Sequence, residues 1–88
     1  MLNIEVRLYG AFREYSENPW IHVQIEGGSN LDLLREVVRS RLEALQPGSY
    51  PADLLAQSVF ADDSDILPNH TCFTMSQKLS LIPPVCGG

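Results

Sequence analysis

The sequence predicts a two-layer α+β fold, in which one main helix packs on one face of a small sheet. Strand-like alternation opens the chain, a single long segment with helical periodicity follows, and strand patterns return towards the end. With 88 residues the chain can bury one modest core, so we expect a single domain. A hydrophobic fraction of 44% with 19% charged residues is typical of a globular protein.

The first two strands are predicted from the alternation of apolar and polar residues. Residues 2–8 place Leu2, Ile4, Val6 and Leu8 on one face. Residues 20–26 place Ile21, Val23 and Ile25 on one face. The Asn-Pro pair at 18 and 19 marks a turn between them, so we expect an antiparallel hairpin.

One amphipathic helix is predicted for residues 31–45. Its apolar stripe consists of Leu31, Leu34, Val38, Leu42 and Leu45, and its charged face of Asp32, Arg35, Glu36, Arg39 and Glu43. Ser29 is the predicted N-cap, with Asp32 completing an Asp variant of the capping box. Arg39 and Glu43 are one turn apart, so they can form an exposed ion pair.

Two later strands complete the predicted sheet. Residues 58–61 form a short strand, residues 62–65 a solvated turn, residues 71–75 an irregular segment or brief strand, and residues 78–82 the last strand. Pro83 and Pro84 lack backbone N–H donors and end the pairing.

A last strand beside the first would run parallel to it, with the helix in the crossover. This mixed sheet with one main helix on one face is the β-grasp arrangement. We therefore assign residues 1–82 to a β-grasp domain and residues 83–88 to an extended C-terminal tail.

Composition argues against several classes of function. A net charge of −5 and a pI near 4.7 disfavour nucleic acid as a partner. No run reaches the roughly 18 apolar residues of a membrane span, and the residues after Met1 lack the features of a signal peptide, so we expect a cytoplasmic protein. Cys72 and Cys86 lack C-x-x-C spacing, and we expect Cys72 to be a small buried hydrophobe.

The sequence predicts neither a metal site nor catalytic residues. The D-x-D spacing at 63–65 is that of a calcium loop, but Pro68 and Thr74 stand where such a loop needs Gly and Glu. His22 and His70 are accompanied by no Ser or Cys motif. A hydrolase or nuclease function therefore has no support.

The tail has chemistry of its own. Its six residues, Pro-Pro-Val-Cys-Gly-Gly, span ~20 Å when extended at ~3.3 Å each. The prolines stiffen its base, and Gly87 and Gly88 have no side chain to block a narrow channel. A terminal carboxylate at Gly88 is a poor electrophile, but its transfer onto the α-phosphorus of ATP would give an acyl-adenylate that a sulfur nucleophile converts to a thiocarboxylate. The alternative is a frayed terminus.

The sequence resembles a known family at three places. Residues 79–88, Leu-Ser-Leu-Ile-Pro-Pro-Val-Cys-Gly-Gly, resemble the ending of the small, sulfur-carrying subunit of molybdopterin synthase, a ubiquitin-like β-grasp protein. Residues 6–14 resemble its first strand and following turn, and residues 31–45 its single helix. Two positions depart from the pattern: Thr-Met-Ser-Gln-Lys at 74–78 replaces an Asp-Gly-Asp-Glu-like turn, and Cys86 replaces a commonly small residue.

The resemblance implies a carrier that is not an enzyme by itself and holds no permanent cofactor. An adenylyltransferase like the ubiquitin-activating enzymes would use ATP to adenylate Gly88, and a cysteine desulfurase or rhodanese-like system would supply sulfur. The tail would then enter the large catalytic subunit, in an assembly of two small and two large subunits, and donate sulfur for the molybdopterin dithiolene. The inserted residues would be Pro83, Pro84, Val85, Cys86 and Gly87. Candidate docking residues near the tail are Phe60, Phe73 and Leu81, for each of which core packing is the alternative.

Other functions remain open at the level of sequence. The same carrier chemistry serves thiamine, cysteine or thio-metabolite pathways, or a ubiquitin-like modifier. An interaction module with an idle tail is a different class, which removal of Gly88 would leave unaffected. Cys86 is either plain variation or a thiol that shuttles sulfur, although no neighbouring base or cation is evident to activate it.

Overall fold

The computed structural model describes residues 1–84, which form a mixed sheet with one main helix on one face. The elements are β1 (Leu2–Leu8), a 3-10 helix (Gly10–Tyr15), β2 (Trp20–Ile25), α1 (Leu31–Leu45), α2 (Ala52–Ala56), β3 (Val59–Ala61) and β4 (Gln77–Ile82). The strand order is β2-β1-β4-β3. β1 pairs antiparallel with β2 and parallel with β4, and β3 pairs antiparallel with β4. The predicted α+β β-grasp fold is confirmed.

The core lies between α1 and one face of the sheet. The alternate apolar residues predicted for this face in β1 and β2 are buried, except that Leu2 is only partly covered. β4 adds Leu79 and Leu81, and α1 adds Leu31, Leu34, Val38 and Leu42. Removing these side chains from water is the main favourable term for the fold, at about 25 cal/mol per Å² of apolar surface.

The N-cap of α1 is Asn30, so the prediction of Ser29 was wrong. The Asn30 Oδ1 accepts a hydrogen bond of 2.9 Å from the Leu33 N–H. The Ser29 hydroxyl instead donates to the Glu26 carbonyl in the preceding turn, at 2.6 Å. The backbone N–H of Phe73 also binds the Ser29 carbonyl, at 2.8 Å, which places residue 29 before the helix.

Arg35 belongs to the predicted charged face of α1, but its side chain bonds to other parts of the fold. Its Nη1 donates to the carbonyls of Leu55 and Ser58, at 2.7 and 2.9 Å, and its guanidinium lies 5.4 Å from the centre of the Phe60 ring. This side chain therefore ties α1 to α2 and to the start of β3. The helix α2 was not predicted, because its five residues are too few for a periodic signal.

The exposed ion pair of α1 is confirmed. Arg39 binds Glu43 at 2.8 Å and also Glu36 at 2.9 Å. Arg39 lowers the pKa of Glu36 by hydrogen bonding and by its charge, and the two glutamates raise the pKa of Arg39. Such exposed pairs contribute little to stability.

Residues 71–75 are irregular, and Cys72 is exposed rather than buried. Phe73 fills the core and its backbone exchanges hydrogen bonds with Gly28 and Ser29, so the neighbouring positions face outwards. Met75 is likewise 62% exposed. The apolar composition of this segment misled the prediction because only one of its side chains reaches the core.

Two neighbouring leucines of α1 test the assignment of the core. Leu34 is fully buried, whereas Leu33 is 45% exposed. We expect Leu34→Ala to lower the free energy of unfolding by about 2–5 kcal/mol because it leaves a cavity. Leu33→Ala, the matched control, should change it by about 0.5 kcal/mol. Urea unfolding followed by circular dichroism measures both, and equal losses would contradict this packing.

The turn after β3 gives a pH prediction. The Asp62 Oδ1 accepts hydrogen bonds from the backbone N–H groups of Asp65 and Ser64, both at 2.8 Å, and these lower the pKa of Asp62. A carboxyl group whose pKa is lowered by folding stabilises the protein above its ordinary pKa, and this contribution is lost as the pH falls. Asp62→Asn should therefore reduce the loss of stability between pH 7 and pH 3, measured by urea unfolding, more than Asp63→Asn does. An equal effect of both variants would refute this role.

Candidate functional site

The base of the tail lies at one end of the sheet, beside the 3-10 helix. β4 runs between β1 and β3, with Leu81 opposite Leu8 of β1, and it ends at Ile82. Pro83 then lies against Gly10, directly after the end of β1. The predicted site residues Val85, Cys86, Gly87 and Gly88 lie outside the described residues.

The sheet face opposite α1 is not covered by a second layer within residues 1–84. Beside the base of the tail it presents what we call the tail-side face: Arg7, Tyr9, Trp20, Lys78 and Ile82. The strand register explains this grouping, since Arg7 lies opposite Trp20 on β2 and opposite Ser80 on β4. Tyr9 and Ile82 directly follow the paired residues Leu8 and Leu81.

The tail-side face combines cations with aromatic rings. The Arg7 guanidinium lies 5.6 Å from the ring centres of both Tyr9 and Trp20, and the Lys78 ammonium lies 5.7 Å from Trp20. These are cation–π distances. Tyr9 is 41% and Ile82 37% exposed. The face therefore offers positive charge and apolar surface together, in a chain whose net charge is −5.

The far end of the same sheet face is polar. Lys78 lies at the border between this end and the tail-side face, and it makes a long ion pair with Glu5, at 3.8 Å between Nζ and Oε2. Asn3 Oδ1 lies 3.2 Å from His22 Nε2 and accepts a hydrogen bond from Gln24 Nε2 at 3.0 Å. An open depression here is lined by Asn3, Glu5, His22, Ser76, Gln77 and Lys78. The side chains that line this end are thus polar or charged, whereas those near the tail include aromatic rings.

The three predicted docking residues are not on any surface. Phe60, Phe73 and Leu81 are 0%, 1% and 0% exposed. Phe60 and Leu81 face each other across the β3–β4 pair and point towards the helix layer, and Phe73 packs into the same core. They cannot contact a partner in this conformation, so their assignment to docking was wrong and core packing is their role.

The alternation of residues along the strands would have identified the residues of the tail-side face. Residues one position out of phase with a buried alternation lie on the opposite face of the sheet. In the predicted first strand that phase contains Arg7, followed by Tyr9. Trp20 and Ile82 have the same relation to the buried residues of β2 and β4.

Two general features bear on the kind of site. Among residues 1–84, no group of three or more His, Cys, Asp or Glu side chains is arranged to hold a metal ion. Neither α1 nor any other helix in these residues combines the length and the apolar character that a membrane span needs.

Comparison with known proteins identifies the fold. No protein-family model and no curated protein sequence matches the chain. Small archaeal modifier protein 1 (SAMP1) from Haloferax volcanii does match in structure, with a TM-score of 0.71 and 18% identity over 98% of this chain and 99% of that one. A Pyrococcus furiosus protein described as molybdopterin converting factor subunit 1 matches with a TM-score of 0.70 and 17% identity, over 97% of this chain and 100% of that one.

A third structure, the HVO 2177 protein of Haloferax volcanii, has a TM-score of 0.69 and 16% identity, over 99% of this chain and 87% of that one. At these identities the similarity is one of fold and extends over nearly the whole chain. The protein therefore has the ubiquitin-like β-grasp fold found in a small archaeal modifier protein and in a protein described as a molybdopterin converting factor subunit.

Proposed function

We propose that this protein is a sulfur carrier, that its mature chain ends at Gly88, and that it is the small subunit of a molybdopterin synthase. The observation that carries the proposal is the way β4 ends. A strand paired on both sides leads directly into Pro83 and Pro84, and Val-Cys-Gly-Gly follows in the sequence. The shared fold with a protein described as molybdopterin converting factor subunit 1 supports this choice of pathway.

The proposed chemistry takes place at the Gly88 carboxylate. One carboxylate oxygen attacks the α-phosphorus of ATP and pyrophosphate leaves, which gives an acyl-adenylate. A sulfur nucleophile then attacks the acyl carbon and AMP leaves. If the donor is a persulfide, a second thiol of the donor system reduces the acyl disulfide and leaves the thiocarboxylate.

This chain contributes a substrate group rather than catalytic groups. The activating enzyme would hold ATP and its metal ion, and the large synthase subunit would hold the molybdopterin precursor. A narrow channel in either partner would admit the slim Gly87-Gly88 tip, whereas a side chain at those positions would block it. The role of this fold is thus to present a tail on a stable domain.

The tail-side face is the proposed docking surface for both partners. It lies next to Pro83, so a partner that takes in the tail meets this face at the same time. Aromatic and Arg side chains are enriched at the energetic centres of protein interfaces. Arg7 and Lys78 favour an acidic rim on the partner, because complementary charge speeds encounter and selects partners.

A second function deserves a test because SAMP1 has the same fold. As a protein modifier, the chain would pass its activated Gly88 carbonyl to a lysine amine of another protein, and AMP or a thiol would leave. The activation step is common to both functions. Only the acceptor of the acyl or sulfur group distinguishes them.

Changes confined to the end of the chain should abolish sulfur loading without unfolding the domain. We expect deletion of Gly88, extension beyond it, or Gly87→Phe to abolish the ATP-dependent replacement of one oxygen by sulfur, because the reacting carboxylate is absent, displaced or blocked. The measurement is intact mass after incubation with ATP, a sulfur source and host cell extract. Circular dichroism should show wild-type folding in all three variants.

Each outcome of that experiment has a separate meaning. Normal loading of a variant with intact folding would refute the role of Gly88. A gain equal to the mass of a target protein, joined to Gly88 through an isopeptide bond, would favour the modifier over the sulfur carrier. An unchanged wild-type mass in several extracts would favour the interaction module with an idle tail.

The docking surface gives an independent prediction. Arg7→Ala should weaken binding to the adenylating enzyme about tenfold, because it removes a cation and its contacts with two aromatic rings. Arg41→Ala, an exposed position on α1, removes the same charge and should leave affinity within about twofold. Calorimetry with the enzyme purified from the host would measure both. Equal affinities of the two variants would rule out the tail-side face.

A further inference from the structure

Gly10 is in close contact with the base of the tail. A Cβ atom added at this position would lie only 2.7 Å from Pro83 Cγ and 3.6 Å from Pro83 Cδ, so the proline ring packs directly on the glycine. The other described glycines, Gly27, Gly28 and Gly48, have no such neighbour within 4 Å. The close approach is therefore a specific feature of the site where the tail leaves the domain.

Two separate constraints act on position 10. Its φ is +57°, a left-handed conformation that glycine adopts freely and asparagine tolerates. This conformation lets the chain leave β1 and enter the 3-10 helix, which buries Phe12. The second constraint is space, since any Cβ would collide with Pro83. Left-handed φ alone would accept Asn, whereas the contact with Pro83 accepts only Gly.

The strand that precedes Pro83 also restricts its direction. Leu81 is paired with Leu8 in β1 and with Phe60 in β3. The last strand residue, Ile82, is paired with Val59 in β3, so the strand is fixed to its end. The proline ring restricts its own φ and also keeps Ile82 out of helical conformations. With the ring resting on Gly10, little rotational freedom is left at the base of the tail.

We infer that Gly10 is a positioning residue, which seats the Pro83 ring and thereby sets the direction in which the tail leaves the sheet. This inference rests on the proposed carrier function. A six-residue tail spans ~20 Å when extended, so a tilt of about 10° at its base moves its tip by ~3 Å. The contact between Gly10 and the Pro83 ring raises the fraction of molecules whose tail points into the partner's channel while the domain docks.

A shift in this fraction has a kinetic signature. When fewer molecules are in the competent arrangement, apparent affinity falls by that fraction. Once Gly88 has entered the channel, the enzyme itself positions the carboxylate, so the chemical step is unchanged. Loss of the contact between Gly10 and Pro83 should therefore raise KM for the carrier and leave kcat unchanged. If Gly10 had a purely structural role, its substitution would lower stability without raising KM.

The test uses the full chain and carrier-dependent exchange of labelled pyrophosphate into ATP by the host's adenylating enzyme. Gly10→Asn tolerates the left-handed φ but places a Cβ against Pro83. We expect its KM to rise about 5–10-fold with kcat within about twofold. Gly28→Asn is the matched control, because Gly28 also has a positive φ, +89°, and no neighbour within 4 Å; its KM should equal that of the wild type.

A double variant separates the contact from other effects. Pro83→Ala removes the Cγ atom that crowds position 10, so Gly10→Asn should cause no further rise in KM in that background. An equal rise in both backgrounds, or equal KM values for Gly10→Asn and Gly28→Asn, would contradict the positioning role of Gly10 and leave the carrier function unaffected. Absence of exchange and of mass gain with the wild type would instead overturn the carrier function, and the role of Gly10 in loading with it.

Discussion

The parallel pairing of β4 with β1 is the interaction on which the rest of the structure depends. It places the last described strand between β1 and β3 instead of at an edge, with Leu79 and Leu81 buried against the helix layer. It also brings Pro83 to the end of β1, where Gly10 begins the 3-10 helix. A tail that starts from the middle of a sheet can be drawn into another protein without loosening the domain that carries it.

The second constraint is that one main helix covers only one face of the sheet. The covered face takes the apolar phase of each strand, and the other phase remains available for contacts. Near the tail this open phase carries Arg7, Trp20 and Tyr9, and further away it becomes polar. In the proposed function, presentation of the tail and recognition of a partner would both follow from this two-layer architecture.

Sequence periodicity was sufficient for the elements whose pattern is long and regular. β1, β2 and the helix over residues 31–45 were predicted because an apolar pattern on one face repeats over six or more residues. Features that depend on distant parts of the chain were missed. Arg35 was placed on a solvated face, yet its partners Leu55 and Ser58 are 20 and 23 residues away. The cap at Asn30 was misplaced by one residue because the preceding turn uses the Ser29 hydroxyl.

The site was predicted unevenly for the same reason. The chemistry of the tail depends on local sequence, so Gly88 could be proposed directly, whereas docking residues depend on which phase of each strand the helix covers. Choosing Phe60, Phe73 and Leu81 for their apolar character selected the core. The tail-side face consists instead of residues on the opposite phase of β1, β2 and β4, and only Ile82 among them is next to one of these three residues.

The most direct test of the carrier function is the intact mass of the protein isolated from its own host. The host should be grown under conditions in which it needs the product of the proposed pathway. We expect a chain that ends at Gly88 and a fraction of molecules in which one oxygen of that residue is replaced by sulfur. A chain that continues beyond Gly88, or one that carries only the unmodified carboxylate under those conditions, would contradict the carrier function.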